Sequence, residues 1–340
     1  MLALGPHCNI MENRITVETI NLTTGYRGRH SDHVVTDKIS AALHSGELTC
    51  LLGPNGAGKS TLLRTLSGFL APIGGEVRVN GRPLREYSDQ ELAQELSVVL
   101  TDRPRLENMT VADLVALGRS PYTGFWGRGS DKDRAIVEES MALVGISNMR
   151  SRMIPTLSDG ERQKTMIAKA LAQTTPVIFL DEPTAFLDYP SKVEMMRLLH
   201  DLSRSQDKTI FLSTHDLDLA LQLADKVWIV DKNRPISIGT PEDLALNGQI
   251  TEFFCRDGVA FNSRTGLFEL DMPCHDRIAL TGSQPYMAMA AKALRRYGIL
   301  ATSAEPQEHT VKADKEGFVI DGRREDSIEG MLETVKSLMK

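Results

Sequence analysis

The segment 53–60 constrains the fold more than any other part of the sequence, because it reads Gly-Pro-Asn-Gly-Ala-Gly-Lys-Ser. It follows an apolar stretch of strand length at 48–52 and precedes a helical pattern over 60–70. Glycines at this spacing let backbone N–H groups surround phosphate oxygens, and the helix start adds positive potential. A glycine-rich turn with an exposed lysine is the alternative, which the strand-to-helix context disfavours. We therefore predict a phosphate-binding loop in an α/β fold.

The residue types in this loop predict their contacts with a nucleoside triphosphate. We expect Lys59 to reach the β- and γ-phosphates and the Ser60 hydroxyl to bind Mg²⁺. The predicted nucleotide-binding residues of this segment are Gly53, Pro54, Asn55, Gly56, Ala57, Gly58, Lys59, Ser60 and Thr61.

A second apolar stretch, 177–180, ends in the carboxylates of Asp181 and Glu182. Four consecutive apolar residues predict a strand that is buried on both faces. We expect Asp181 to hold Mg²⁺ through water and Glu182 to take a proton from an attacking water. Two acidic residues that only cap a strand end are the alternative, which the nearby phosphate-binding loop disfavours.

The segment 157–161, Leu-Ser-Asp-Gly-Glu, precedes a helical pattern over 162–172. Ser158 followed three residues later by Glu161 predicts a capping box. One interpretation is a well-capped helix and nothing more. The other is that Ser158, the Gly160 backbone and the helix start bind an anion, such as a γ-phosphate held by a neighbouring subunit.

His215 follows another apolar stretch, 210–213. A histidine in this position is either a structural hydrogen-bonding group or, beside Asp181 and Glu182, a contact to the γ-phosphate. The sequence leaves both possibilities open.

Composition limits the classes of function. The chain has 340 residues with 39 Lys and Arg against 45 Asp and Glu, for a net charge of −6, which disfavours a nucleic-acid partner. The hydrophobic fraction of 41% is typical of a globular core. No apolar run approaches the roughly 18 residues that a membrane span needs, and the start of the chain does not resemble a signal peptide. We expect a soluble protein that reaches a membrane only through a partner.

The order of strand and helix patterns predicts two domains. Residues 1–14 are expected to form a leader, and 15–270 an α/β domain with a helical insertion at about 105–156. Residues 271–340 are expected to form a small second α/β domain. Its predicted elements are a strand at 277–281, a helix at 285–297, a strand at 299–302, two short strands around 315–317 and a helix at 327–339.

Taken together, these motifs resemble the ATP-binding subunit of ABC transporters, over about residues 15–262. The order carries the resemblance: Tyr26, the phosphate-binding loop, a helical insertion, 157–161, Asp181-Glu182, Phe186-Leu187-Asp188 and His215. The resemblance implies ATP and Mg²⁺ as cofactors, Tyr26 stacked on adenine, and Glu182 and His215 as catalytic residues. It also implies that two chains form a head-to-tail dimer that encloses two ATP molecules. In that dimer, Ser158 and Gly160 would complete the nucleotide site of the partner, and Asp188 would lie at the junction between the two subunits.

The chain departs from this family's pattern at three positions. Asp159 and Glu161 stand where the family usually has Gly and Gln, so we expect a weaker positive potential and slow turnover. Thr101-Asp102 stands where a Gln is expected after the strand at 98–100. Asp102 is the predicted substitute as a metal-facing ligand.

Residues 117–122, Leu-Gly-Arg-Ser-Pro-Tyr, resemble an element of ATPases that serve importers of iron-siderophores, haem or cobalamin. The resemblance implies an ATP-hydrolysing motor subunit, peripheral at the cytoplasmic face of the inner (plasma) membrane. Its implied partners are a second copy, two transmembrane permease subunits and, indirectly, a substrate-binding protein. The alternatives are a soluble ABC ATPase without a transport role and a nucleotide-gated scaffold.

Overall fold

A computed structural model describes residues 14–29, 31–100, 108–123, 129–232, 234–255, 258–262, 266–270, 272–302 and 307–339. The chain forms two compact units. The first comprises the chain up to Phe253 together with residues 263–267, and the second comprises residues 254–262 and the chain from Phe268 onward. The domain boundary that we expected between residues 270 and 271 stays a prediction. Within the described residues, no helix is both long and apolar enough to span a bilayer.

The first unit contains two sheets and nine α-helices within the described residues. Its strands are β1 (Ile15–Tyr26), β2 (His33–His44), β3 (Leu48–Leu52), β4 (Gly74–Val79), β5 (Arg82–Pro83), β6 (Leu96–Val99), β7 (Val177–Asp181), β8 (Thr209–Ser213), β9 (Lys226–Asp231) and β10 (Arg234–Gly239). Its helices are α1 (Lys59–Leu66), α2 (Asp89–Glu95), α3 (Val111–Ala116), α4 (Asp131–Leu143), α5 (Asp159–Ala172), α6 (Tyr189–Ser205), α7 (Leu217–Leu223), α8 (Pro241–Leu246) and α9 (Gln249–Phe254).

The six-stranded sheet positions the predicted site. Its order is β10-β9-β3-β8-β7-β6, with β10 antiparallel and the other strands parallel to their neighbours. Every residue of β3, β7 and β8 is buried, as apolar strands that are covered on both faces require. Since the carboxyl ends of parallel strands meet at one edge, the loops after β3, β7 and β8 lie together.

The second sheet is antiparallel, in the order β2-β1-β4-β5. Asn80-Gly81 forms the turn of the hairpin between β4 and β5, and both turn residues have positive φ, which this dipeptide tolerates well. Tyr26 is the last residue of β1 and pairs with His33 at the start of β2.

The helical insertion packs on α5 through a buried arginine. The Arg119 guanidinium lies 2.9 Å from an Asp133 carboxylate oxygen and donates to the Ala172 carbonyl at 2.7 Å. It stacks on the Tyr122 ring at 4.0 Å, and the Tyr122 hydroxyl donates to the Gln173 carbonyl. Residues 117–122 therefore bond the helical insertion to the C-terminal end of α5.

We predict that Arg119→Met lowers the free energy of unfolding by about 3 kcal/mol, because it removes the bonds of a buried guanidinium to Asp133 and to the Ala172 carbonyl. Urea unfolding measures this. The matched control is Arg150→Met, since Arg150 pairs with Glu138 at the surface, where such pairs contribute about 0–1 kcal/mol. If both variants lower the free energy of unfolding by the same amount, Arg119 does not hold the insertion against α5.

The second unit is a separate α/β fold. Its described strands are β11 (Val259–Asn262), β12 (Leu267–Leu270), β13 (Asp276–Gly282), β14 (Ile299–Thr302), β15 (Thr310–Asp314), β16 (Gly317–Ile320) and β17 (Arg323–Glu325), and its helices are α10 (Tyr286–Arg295) and α11 (Ile328–Leu338). The main sheet has the order β14-β13-β15-β16-β17, and its core includes Ile278, Val311 and Val335. The elements predicted between residues 277 and 339 are confirmed here, whereas β11, β12 and β17 were not predicted.

Candidate active site

The phosphate-binding loop joins β3 to α1 and needs its glycines for two steric reasons. Gly53 has a φ of 154°, and a Cβ there would lie 2.3 Å from the Val230 carbonyl oxygen. Gly58 has a φ of 103°, and its Cβ would lie 2.2 Å from a Val35 methyl. Both the backbone conformation and the close approach therefore exclude a side chain.

We expect Gly58→Ala to lower the free energy of unfolding by about 3 kcal/mol or more, since strain at positive φ adds to overlap with Val35. Gly81→Ala is the control, because Gly81 has a φ of 80° but no atom within 4 Å of an added Cβ. That variant should show the backbone strain alone, about 1 kcal/mol. Similar losses in the two variants would contradict the steric argument.

Lys59 is buried at the first turn of α1. Its ammonium donates to the carbonyls of Gly53 at 2.8 Å and Pro54 at 3.2 Å, which holds it inside the loop. Burial lowers the pKa of Lys59, and the nearby carboxylates of Glu182 and Asp181 oppose that shift.

The end of β7 places a carboxylate beside α1. An oxygen of Asp181 accepts from the Ser213 hydroxyl at 2.7 Å and lies 3.4 Å from the Ser60 hydroxyl. Hydroxyl and carboxylate oxygens fit Mg²⁺, which takes few protein ligands and fills its other positions with water and phosphate oxygens. In the described part of the chain, no group of three or more His, Cys, Asp or Glu could hold a metal ion. The residues present therefore suit a metal that nucleotide phosphates also coordinate.

Glu182 follows in a left-handed backbone conformation with a φ of 50°. Its backbone N–H donates to the carbonyl and the hydroxyl of Ser213, at 3.1 and 3.0 Å. Its carboxylate lies 2.6 Å from Nε2 of His215. Strained backbone held by hydrogen bonds is a feature of functional sites, and here it fixes a partly exposed carboxylate next to a histidine.

A cavity of about 310 Å³ covers the phosphate-binding loop. Tyr26 stands at its rim, 48% exposed, with its hydroxyl 3.3 Å from the Thr61 hydroxyl. The lining residues are Tyr26, His33, Val35, Asn55, Gly56, Gly58, Lys59, Ser60, Thr61 and Glu182. The structure thus brings Tyr26, most of the loop and Glu182 into one cleft. The exposed ring of Tyr26 forms part of the rim of that cleft.

The capping box predicted at Ser158 is confirmed at the start of α5. The Ser158 hydroxyl accepts from the Glu161 N–H, and the Glu161 carboxylate accepts from the Ser158 N–H at 2.8 Å. That Ser158 N–H and the Arg152 guanidinium, 2.7 Å away, lower the pKa of Glu161. The positive charge of Arg152 therefore balances the negative charge of Glu161. The side chain of Ser158 is exposed.

Six predicted nucleotide-binding residues do not line this chain's own cavity: Gly53, Pro54 and Ala57 within the loop itself, and Ser158, Gly160 and Asp188 away from it. Asp188 caps α6, where its carboxylate accepts from the Ser191 N–H at 3.2 Å. A Cβ at Gly160 would lie 3.8 Å from Leu187, so the start of α5 and the segment before α6 are neighbours. The predicted metal ligand Asp102 lies outside the described residues.

Sequence reasoning missed two residues that hold the site together. Ser213 bonds to both Asp181 and the Glu182 backbone, and Val35 packs on Gly58. A signal for Ser213 existed, because a polar residue at the end of an apolar strand should meet the polar end of a neighbouring parallel strand.

The fold and the cleft define a P-loop nucleotide-binding protein. A family model described as ABC transporter matches residues 36–185. An uncharacterized ABC transporter ATP-binding protein of Methanocaldococcus jannaschii is 40% identical over 254 residues, 75% of this chain and 86% of the relative. The chain therefore belongs to the family of ABC transporter ATP-binding proteins, whose members are ATPases, and the predicted fold class is confirmed.

Two further relatives and one solved structure are similar to this chain. The probable siderophore transport system ATP-binding protein YusV of Bacillus subtilis is 36% identical, over 68% of this chain and 82% of the relative. The cobalamin import ATP-binding protein BtuD of Halobacterium salinarum is 36% identical, over 68% of this chain and 58% of the relative. The structure of cbiO1 from Clostridium perfringens, part of an ABC transporter complex, matches with a TM-score of 0.61 at 26% identity, covering 71% of this chain and 94% of that one.

Proposed function

We propose that this chain is the ATP-hydrolysing motor subunit of an importer for an iron-siderophore, haem or cobalamin. The Glu182–His215 pair next to the phosphate-binding loop carries the proposal, because it supplies a fixed base beside the site of the γ-phosphate. The names of the siderophore and cobalamin relatives support the cargo class.

In the proposed mechanism, the adenine of ATP stacks on Tyr26 and its β- and γ-phosphates lie between Lys59 and the loop N–H groups. Glu182 accepts the proton of the attacking water, and His215 orients the Glu182 carboxylate and contacts the γ-phosphate. Ser60 and Asp181 would hold Mg²⁺, which neutralises phosphate charge when bound.

We further propose a head-to-tail homodimer. Ser158 and Gly160 lie at the N-terminal end of the 14-residue helix α5, where backbone N–H groups and the helix dipole favour an anion. Since these residues do not line their own cavity, the anion that they suit is the γ-phosphate held by a second copy, with Asp188 at the junction. ATP would then close the dimer, and two permease subunits would follow that motion at the cytoplasmic face of the membrane.

The test is co-purification from detergent-solubilised membranes of the native host, with tagged Glu182→Gln as bait and ATP present. A polytopic membrane protein in stoichiometric amount supports the proposal, and its sequence narrows the cargo. Lys59→Ala is the control, because it should not reach the ATP-closed state. A clean soluble dimer without a membrane partner contradicts the transport role, and phosphate release by the wild type then separates an ATPase from a scaffold.

A further inference from the structure

Asp216 stands at the N-cap position of α7, directly after His215. An aspartate at that position usually accepts a hydrogen bond from a backbone N–H of the first helical turn. Among the described residues, the Asp216 side chain makes no such bond. One carboxylate oxygen accepts instead from the Thr184 hydroxyl at 2.6 Å, and the other accepts from the Lys192 ammonium at 2.8 Å. The carboxylate therefore joins two segments that are distant from it in the sequence.

Thr184 belongs to the first of these segments and lies two residues after Glu182. Its side chain is buried, as is that of Thr214, and the two hydroxyl oxygens lie 3.4 Å apart. Since the carboxylate of an ion pair only accepts, Thr184 donates to Asp216, and Thr214 donates to Thr184. Thr214 in turn accepts from the Asp216 backbone N–H at 3.1 Å. These bonds form a closed ring that joins the segment after Glu182 to the residues on both sides of His215.

Lys192 holds the same carboxylate from α6, of which it is the fourth residue. The Lys192 backbone N–H donates to the Asp188 carbonyl at 2.9 Å, so the lysine is fixed at the start of that helix. The side chains of Lys192 and Asp216 are 27% and 23% exposed. Solvent therefore weakens this ion pair less than it weakens a pair on the open surface.

The His215 side chain is 42% exposed and lies 2.6 Å from the Glu182 carboxylate. A ring with that much free surface has few packing contacts, so the backbone on either side of it sets its position. We propose that Asp216 is a positioning residue that holds His215 against Glu182. Its bonds to Thr184 and Lys192 set this geometry before ATP binds, which lowers the barrier to reaction. The inference rests on the proposed function and extends it to residues that do not line the described cavity.

Asp216→Asn tests the positioning role by steady-state phosphate release. The amide keeps the shape of the side chain, but it has one acceptor oxygen for two donors, so one of the two bonds is lost. We expect kcat to fall about tenfold, with ATP affinity within about threefold of the wild type. Asp201→Asn is the matched control, because Asp201 is 78% exposed on α6, and it should leave kcat unchanged.

Two substitutions of Thr184 separate the hydrogen bond from packing. Thr184→Val keeps the shape of the side chain but cannot donate to Asp216, so kcat should fall about as far as in Asp216→Asn. Thr184→Ser keeps the hydroxyl and should retain more than about half of the wild-type kcat. If both substitutions lower kcat equally, packing rather than the hydrogen bond is responsible, and the proposal is overturned.

Asp216→Asn combined with His215→Ala shows whether the two residues act as a unit. Because Asp216 acts through His215, the double variant should have a kcat within about threefold of that of His215→Ala alone. Losses that multiply would overturn the positioning role and leave the proposed hydrolysis standing, as would a wild-type kcat for Asp216→Asn beside a slow His215→Ala. A wild-type protein without ATP turnover would overturn both the proposed function and the positioning role.

Discussion

Glu182→Gln is expected to lower kcat for ATP hydrolysis by about 10²–10³-fold while ATP affinity changes less than about threefold. Glutamine keeps the shape and the hydrogen bond to His215, but it cannot accept the proton of the attacking water. Phosphate release measures kcat, and a fluorescent ATP analogue measures affinity. Slow hydrolysis should also preserve the ATP-bound dimer, which sedimentation detects.

The matched control for this substitution is Glu194→Gln. Glu194 lies on α6, pairs with Lys164 and is 62% exposed, outside the cleft. We expect it to hydrolyse ATP at the wild-type rate. A Glu182→Gln protein with wild-type turnover would show that another group takes the proton.

His215 makes a related prediction of smaller size. His215→Ala removes the group that lies 2.6 Å from the Glu182 carboxylate, so kcat should fall by about tenfold or more while ATP affinity is largely kept. Comparison of kcat with ATP affinity separates a role in the reaction from a role in nucleotide binding. An unchanged kcat would leave His215 without a part in the reaction.

The phosphate-binding loop was predictable from sequence because its determinants are local. The glycines, the apolar strand before them and the helix after them are close together in the sequence. The structure places all three as expected. The capping box at Ser158 was predictable for the same reason, since an N-cap and its N3 partner are only three residues apart.

The remainder of the site depends on contacts that a single sequence does not specify. The bond from Ser213 to Asp181 follows from the register of β7 on β8, which joins residues 32 positions apart. Arg119 is buried although charged residues are usually exposed, because Asp133 and the Ala172 carbonyl satisfy it. Partners at such distances are set by tertiary packing, so local patterns could not identify them.

Lys59→Ala should weaken ATP binding by about 100-fold or more, which is the largest effect on affinity that we expect of any substitution in the cleft. The glycine backbone would remain, but the cavity would lose the one Lys or Arg among its described lining residues, and with it the ammonium contact to the β- and γ-phosphates. Removal of one partner from a buried charged contact costs about 2–5 kcal/mol, and 1.4 kcal/mol corresponds to a factor of ten.

Two ligands distinguish a direct phosphate contact from a general disturbance of the loop. Because Lys59 is proposed to reach the β- and γ-phosphates, its loss should reduce the affinity for ATP far more than the affinity for AMP. Calorimetric titration of each nucleotide gives that ratio, and Lys132→Ala on the exposed face of α4 should leave it unchanged. An equal loss for both nucleotides would indicate that Lys59 holds the loop through the Gly53 and Pro54 carbonyls rather than the phosphates.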